Sequence, residues 1–259
     1  LKEIANFFWH GDLTLYEYKC IESFVKHNFI VNVWSYSDLE LPAGANLCNA
    51  EEILPKDHLT KYKQKHFLDV NTPDGVEYTS LAAFSDAFRF TLLNIQPGWW
   101  FDCDVFCLKD QNNFSELKTN KNIVAGLMYN SKDNVFDCGC GVIYFKDQTV
   151  SQLFYDELQA RCIQNNYIFS GWAHIGPHLI HTVIKENNFV KELFPEEYFY
   201  AITWTDLDLI INPARILEAK EQIKNAYCLH LWNSQLSQVY NIKHSRPEDN
   251  LLAELFFKN

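Results

Sequence analysis

Two short apolar runs, "IANFFWHG" from Ile4 and "FIVNVWSYS" over residues 29–37, flank the stretch "DLTLYEYKCIESFVKH". Within that stretch Leu15, Tyr18, Ile21 and Val25 recur at helical spacing and Phe24 widens the stripe, which predicts a strand, a helix and a second strand. The polar stretch that follows, "DLELPAGANLCNAEEILPKDHL", is punctuated by Pro42, Gly44 and Pro55 and reads as a loop. In "TSLAAFSDAFRFTLLNIQPG" the apolar side chains of Leu81, Phe84, Phe88, Leu92 and Ile95 share one helical face; Thr79 or Ser80 can cap its start and Pro97-Gly98 stops it. Residues Trp99 to Phe101 read as a short buried strand. Further strands are predicted at 123–127, 141–145 and 226–232, and helices near 149–165, 177–186 and 213–224, the last opened by Asn212-Pro213.

Strands alternating with helices predict an α/β fold with a mostly parallel central sheet, in which ligands collect beyond the carboxyl ends of the strands. No repeat, low-complexity tract or linker interrupts the pattern, so residues 1–259 read as a single domain. A hydrophobic content of 47% is enough for a sizeable core, which argues against disorder. The net charge of −11, without any dense Lys/Arg tract, argues against a nucleic-acid partner. An acidic cluster can instead recruit a divalent cation, which presents positive charge to a phosphate-bearing ligand.

The eight cysteines lie in apolar segments and read as reduced core thiols. Cys103/Cys107 and Cys138/Cys140 lack the C-x-x-C spacing of zinc knuckles, so buried thiols are the preferred reading there too. No run approaches the roughly 20 apolar residues of a membrane span, and the first residues lack the pattern of a signal peptide. The expectation is a soluble cytoplasmic protein, free or peripheral to a membrane, with a terminal anchor outside this sequence left open because the chain starts at Leu1 rather than Met.

Candidate chemistry begins at "GWWFDCDVFCL", where Asp102 and Asp104 follow three bulky aromatics. If the strand stays extended, its period of two turns both carboxylates the same way, and together they can hold one hard cation. A bare D-x-D is more often an exposed loop pair. Its company changes the balance: "SDAFR" sets Asp86 and Arg89 three apart on one helical face with Ser85 beside them, although alone this is an ordinary intrahelical ion pair.

The tract "SDAFRFTLLNIQPGWWFDCDVFCL" resembles the sugar-binding region of glycosyltransferase family 32, the D-x-D family of capsular-polysaccharide and α-1,4-glycosyltransferases, and is similar to the catalytic region of large clostridial glucosylating toxins. It keeps the family's spacing, with Pro97-Gly98 in place of a glycine pair and Trp100 in place of a Tyr. Weaker matches follow in the expected order: "FFWHG", "NVWSYSD", "GWAHIGPHLIHTVIK", "EEYFYAITW" and "CLHLWN".

The resemblance implies a GT-A type fold and a retaining transferase, using a UDP-linked hexose or N-acetylhexosamine with Mn²⁺ or Mg²⁺ and acting on a glycan or lipid-linked saccharide. By position it implies that Asp104 binds the metal and Asp102 contacts ribose or metal, with His230 a further ligand or a phosphate contact. Trp232 and Asn233 would line the diphosphate; Asp86 and Arg89 would organise the sugar pocket; Trp9, His10 and Gly11 would hold the nucleobase and ribose. Alone, His230 reads more readily as a satisfied core histidine on an apolar strand; the Trp-Asn that follows it and the upstream acids bring the metal role level with that reading.

Asp137 with Gly139 and Gly141 reads either as a close approach of backbone to the reacting sugar or as a tight turn before a core strand. Gly176-Pro177 starts a helix, flanked by His174 and His178, whose free amides face an anion, an acceptor sugar or only solvent. A second D-x-D, Asp206 and Asp208, lacks the preceding S-D-x-x-R helix and reads as a loop and strand pair. No acid stands at a recognisable nucleophile spacing, so the resemblance implies front-side substitution. The alternatives are a haloacid-dehalogenase-like phosphatase, whose first acid is a nucleophile, and a non-catalytic carbohydrate-binding protein on a degenerate transferase fold.

Overall fold

The computed structural model describes residues 2–66, 76–130, 135–171, 173–240 and 247–258. Trp172, within the tract before Gly176-Pro177, lies outside them. In chain order the elements are β1 (Ile4–Phe8), α1 (Leu15–Lys26), β2 (Ile30–Ser35), β3 (Ala45–Asn49), β4 (Lys63–His66), β5 (Val76–Thr79), α2 (Leu81–Ile95), β6 (Trp99–Phe101), β7 (Val105–Cys107), α3 (Gln111–Leu117), β8 (Ile123–Asn130), β9 (Val135–Phe145), α4 (Gln148–Gln164), β10 (Ile168–Ser170), α5 (Pro177–Glu186), α6 (Asp208–Ile211), α7 (Ile216–Ile223), β11 (Cys228–His230), α8 (Asn233–Tyr240) and α9 (Leu251–Phe257).

The central sheet runs β3-β2-β1-β6-β9-β8, with β3, β2, β1 and β6 parallel, β9 antiparallel to β6, and β8 antiparallel to β9. This is the α/β class with a mostly parallel sheet that the sequence predicts. Strand alternation divides the side chains between its faces. Phe7, Trp99 and Phe101 join Phe24 of α1 and Phe114 of α3 on one side. Phe8 and Trp100 join Phe84 and Phe88 of α2, Phe154 of α4 and Leu179 of α5 on the other.

Helix α2 is capped by Ser80, whose hydroxyl accepts the Ala83 amide at 3.1 Å. Every position from Asp86 to Leu93 is buried. Leu81 and Ile95, the ends of the predicted stripe, are exposed in the first and last turns. A helix buried all round leaves no solvent for Asp86 and Arg89, so these two must be satisfied within the protein.

The predicted loop 38–59 contains β3, which escaped detection because "ANLCN" forms a polar edge strand without a buried alternation. The predicted strand 226–232 shortens to β11, and the chain turns at Trp232, whose φ is 54°. β11 pairs antiparallel with β7 in a ribbon of its own. The second D-x-D is a turn leading into α6 rather than a strand, and Arg215 grips it, at 2.7 Å from Asp206 and 3.2 Å from Asp208.

Candidate active site

Asp102 and Asp104 do not lie on a strand. β6 ends at Phe101 and β7 begins at Val105, and a tight turn closed by the Val105 amide on the Asp102 carbonyl, at 3.0 Å, carries both acids. The turn, rather than the pleat expected from the sequence, brings the carboxylates together. Its place is the carboxyl end of a parallel strand, where such sheets gather ligands. Cys103, between the acids, is a buried thiol that donates to the Phe8 carbonyl at 3.3 Å and ties the turn to the end of β1.

Asp102 is held from α2. Arg89 donates one arm of its guanidinium to Asp86 at 2.6 Å and the other to Asp102 Oδ1 at 2.7 Å, and lies over the Trp100 ring at 5.1 Å. The Trp100 indole N–H donates to the same oxygen at 2.7 Å. Burial raises the Asp86 carboxyl to about 6, against the opposing pull of Arg89, and the Asp102 charge adds to the rise. Burial alone would lower Arg89, but Asp102, Cys140 and Asp86 hold it above its ordinary range. One cation thus serves two acids, and the pair keeps a net negative charge. Ser85 sits beside Asp86, half-buried.

Asp104 is held from the far end of the chain. Its carbonyl accepts the Leu231 amide at 2.8 Å and its Oδ2 accepts the Asn233 amide at 2.9 Å. His230, buried on β11, approaches Asp104 Oδ1 with Nε2 at 3.5 Å. Ligand atoms of Asp102, Asp104 and His230 lie within 4.8 Å of one another. Each carboxylate has one oxygen held by strong donors; of the other two, Asp102 Oδ2 has no donor among the described residues and Asp104 Oδ1 faces only His230 Nε2, at 3.5 Å. These two carboxylate oxygens suit Mg²⁺ or Mn²⁺, and His230 Nε2 would complete a Mn²⁺ site with the ring proton moved to Nδ1, which now accepts the Trp232 amide, so the residues present fit a divalent cation.

Trp232 and Asn233 are partly committed elsewhere. The Trp232 indole N–H donates to the Ile202 carbonyl at 2.8 Å, which leaves its ring, 4.2 Å from the His230 ring, as the available surface. The Asn233 side-chain amide donates to Glu17.

Gly139 and Gly141 lie inside β9 rather than in a tight turn before a core strand. Ala125 pairs with Ile143 and Leu127 with Cys138, so Gly126 alone faces residues 139–142, a bulge in β9. A Cβ on Gly139 would lie 2.2 Å from the Tyr200 ring, and one on Gly141 2.8 Å from His230 and 3.3 Å from Asp102. What approaches this backbone is the protein itself. The sequence did not mark Tyr200, whose buried ring sits 5.8 Å from His230.

Asp137 pairs with His181 of α5 at 3.3 Å and is not in the group formed by Asp102, Asp104 and His230. Gly176, at the start of α5, receives the Asp86 carboxylate, which would be 2.5 Å from a Cβ there. The His174 carbonyl accepts from Arg161 at 2.6 Å, and burial lowers its imidazole pKa; His178 is exposed. Trp9, His10 and Gly11 follow β1, beside the acid turn. The Trp9 indole donates to the Asp12 carbonyl at 3.2 Å, the His10 ring stands 6.3 Å from Tyr36, and Gly11 has a φ of 97°. The late acids Asp206 and Asp208, engaged by Arg215, do not join the Asp102 group as a phosphatase's second acidic motif would.

Residues 154–258 match the family described as the alpha 1,4-glycosyltransferase conserved region. The match runs from within α4 through the whole of α9 and includes His230, Trp232 and Asn233 but not the tract 85–104, so the resemblance read from that tract is met independently in the later part of the chain. Among solved structures, the chain is similar to the PaToxG glycosyltransferase (11% identity, TM-score 0.49, covering 96% of this chain and 86% of that one). It is similar also to the galactosyltransferase LgtC in complex with donor and acceptor sugar analogs (9%, 0.49, 88% and 87%). A third is mouse xyloside xylosyltransferase 1 (12%, 0.46, 89% and 97%). No curated protein matches the sequence significantly.

Proposed function

We propose that this protein is a retaining glycosyltransferase, a single catalytic domain over residues 1–259. It moves a hexose or N-acetylhexosamine from a UDP donor to a hydroxyl of a glycan or lipid-linked saccharide. The observation that carries the reading is the convergence of Asp102, Asp104 and His230 within 4.8 Å at the end of β6, with Arg89 fixing one acid and the turn before α8 fixing the other. Mn²⁺ or Mg²⁺ bound there would neutralise charge on the departing diphosphate.

The chain's own residues have distinct tasks. Asp102, Asp104 and His230 hold the cation; Arg89, with Asp86 and Ser85, orients the sugar; and the Trp232 ring and Asn233 border the diphosphate. Trp9, His10 and Gly11 hold the nucleobase and ribose, and Asp137 contacts the donor near the reacting sugar. The acceptor hydroxyl attacks on the face the diphosphate leaves. Eight free cysteines suit a reducing cytoplasm, and among the described residues no helix is long and apolar enough to cross a membrane.

The test is a panel of nucleotide sugars, scored for thermal stabilisation and hydrolysis with Mn²⁺, with chelator, and with Asp104→Ala. A UDP-sugar should stabilise and turn over only with metal and Asp104 present. No stabilisation by any nucleotide sugar with Mn²⁺ present would sink the reading; sugar binding that survives both chelator and Asp104→Ala would favour a non-catalytic binder. NMR of the first product anomer showing inversion would overturn retention.

A further inference from the structure

Glu17 takes no part in the chemistry above, yet it is fully buried, at 0% exposure. One of its oxygens, Oε2, accepts the Thr14 amide at 2.9 Å and the Thr14 hydroxyl, forming the capping box at the start of α1. A capping box works equally well with an uncharged glutamine and ordinarily stands in water. Burying a carboxylate costs several kcal/mol unless hydrogen bonds replace its hydration. Capping α1 accounts for only one oxygen of this buried carboxyl group.

The other oxygen, Oε1, accepts the side-chain amide of Asn233. Asn233 opens α8, and its backbone N–H donates to Asp104 Oδ2 at 2.9 Å. One residue earlier, Trp232 is in the left-handed region, and its N–H donates to His230 Nδ1 at 3.2 Å. The turn 230–233 therefore orients both an acid and an imidazole of the cation site, and Glu17 pins that turn from α1.

We infer that Glu17 is a positioning residue for the cation site, setting the place of Asp104 and His230 through Asn233. The inference rests on the metal reading above. Removing a group that orients metal ligands typically weakens binding about 10- to 100-fold.

The experiment measures Mn²⁺ affinity of the nucleotide-free protein from the electron paramagnetic resonance signal of unbound Mn²⁺, alongside thermal unfolding without metal. Glu17→Ala and Asn233→Ala should each raise the Kd about tenfold. The double variant should be no worse than either single one, because both act along one path. Thr14→Ala, which weakens the cap but leaves the Glu17–Asn233 bond, should lower the Tm and leave the Kd within about twofold. Glu17→Gln should recover most of the affinity, since the Asn233 amide can turn its carbonyl toward the new NH₂ group.

Wild-type affinity in Glu17→Ala, an equal loss in Thr14→Ala, or additive losses in the double variant would overturn the inference. If Glu17→Ala does not fold, Asn233→Ala decides: tenfold weakening supports the relay and unchanged affinity refutes it. A wild-type protein that binds no Mn²⁺ overturns the metal reading and this inference with it, whereas a binding wild type with unaffected variants overturns this inference alone.

Discussion

Gly141→Ala adds one methyl group between two of the proposed metal ligands. It would lie 2.8 Å from His230 Cδ2, 2.9 Å from His230 Nε2 and 3.3 Å from Asp102 Oδ2, where ordinary contact begins at 3.4 Å. The imidazole would have to retreat by about 0.6 Å, beyond the roughly 0.5 Å tolerance of a working site. It has little room, with the Trp232 ring at 4.2 Å and the Tyr200 ring at 5.8 Å. Gly141 does not have the left-handed φ that an alanine would strain, so the backbone accepts the change. Overpacking of about 1–3 kcal/mol is partly offset by the lower entropy of the unfolded chain. The expected result is a folded protein with Mn²⁺ affinity and turnover reduced about 10- to 100-fold.

Gly139→Ala, two residues away in the same bulge, is the control. Its methyl would sit 2.2 Å from the Tyr200 ring, on the core side, so stability should fall by about 3 kcal/mol, the top of the range for overpacked cores. Thermal melts with metal titrations separate the two. A Gly141→Ala protein that binds Mn²⁺ and turns over within twofold of wild type would refute the reasoning.

Asp86→Asn tests the buried acid. Its folded pKa is raised from 3.8 to about 6, so its contribution to stability is present below about pH 4 and lost as the pH rises through 6. Wild-type stability relative to the Asn variant should fall by about 3 kcal/mol over that window and stay level above it; denaturant melts at stepped pH that show a constant difference would contradict this. Arg89→Met leaves two acids without their cation and should cost about 3–5 kcal/mol, Asp86 taking up its proton. Arg89→Lys should restore part of the stability but little turnover, because an ammonium cannot span both carboxylates as the planar fork does. Equal turnover in the Lys variant would argue against a bridging role.

Helices α1 and α2, the aromatic strand β6 and the S-D-x-x-R pairing were legible from local spacing, but the buried faces were not. Of the predicted α1 stripe only Ile21 and Phe24 are buried, beside Tyr16, Glu17, Cys20 and Ser23, and α2 is buried all round with Leu81 and Ile95 exposed. Edge strand β3, with its polar residues, was not legible. The two acids and the late histidine could be named from their pattern, but not that a turn rather than a pleat aligns the acids. Tyr200 and Glu17 were invisible as site residues, and Gly141, marked only for an approach of backbone to the reacting sugar, gave no sign of its contact with His230, because the partners lie far away in sequence: His230 for Gly141 and Tyr200, and Asn233 for Glu17. Long-range contacts leave no local signature, and only the bulge in β9 and the ribbon of β7 with β11 bring them into register.

That ribbon also orders events in time. Asp104 and Asn233 are 129 residues apart. At a synthesis rate of about 5–20 residues per second, roughly 6–26 s pass between the emergence of the acid turn and that of the strand completing it. Until then the acids face one another without their imidazole or their helix, and no fragment ending before Cys228 can assemble the site. If the site takes the proposed cation, its binding would report that β11 has docked on β7, and so serve as a readout of that late folding step.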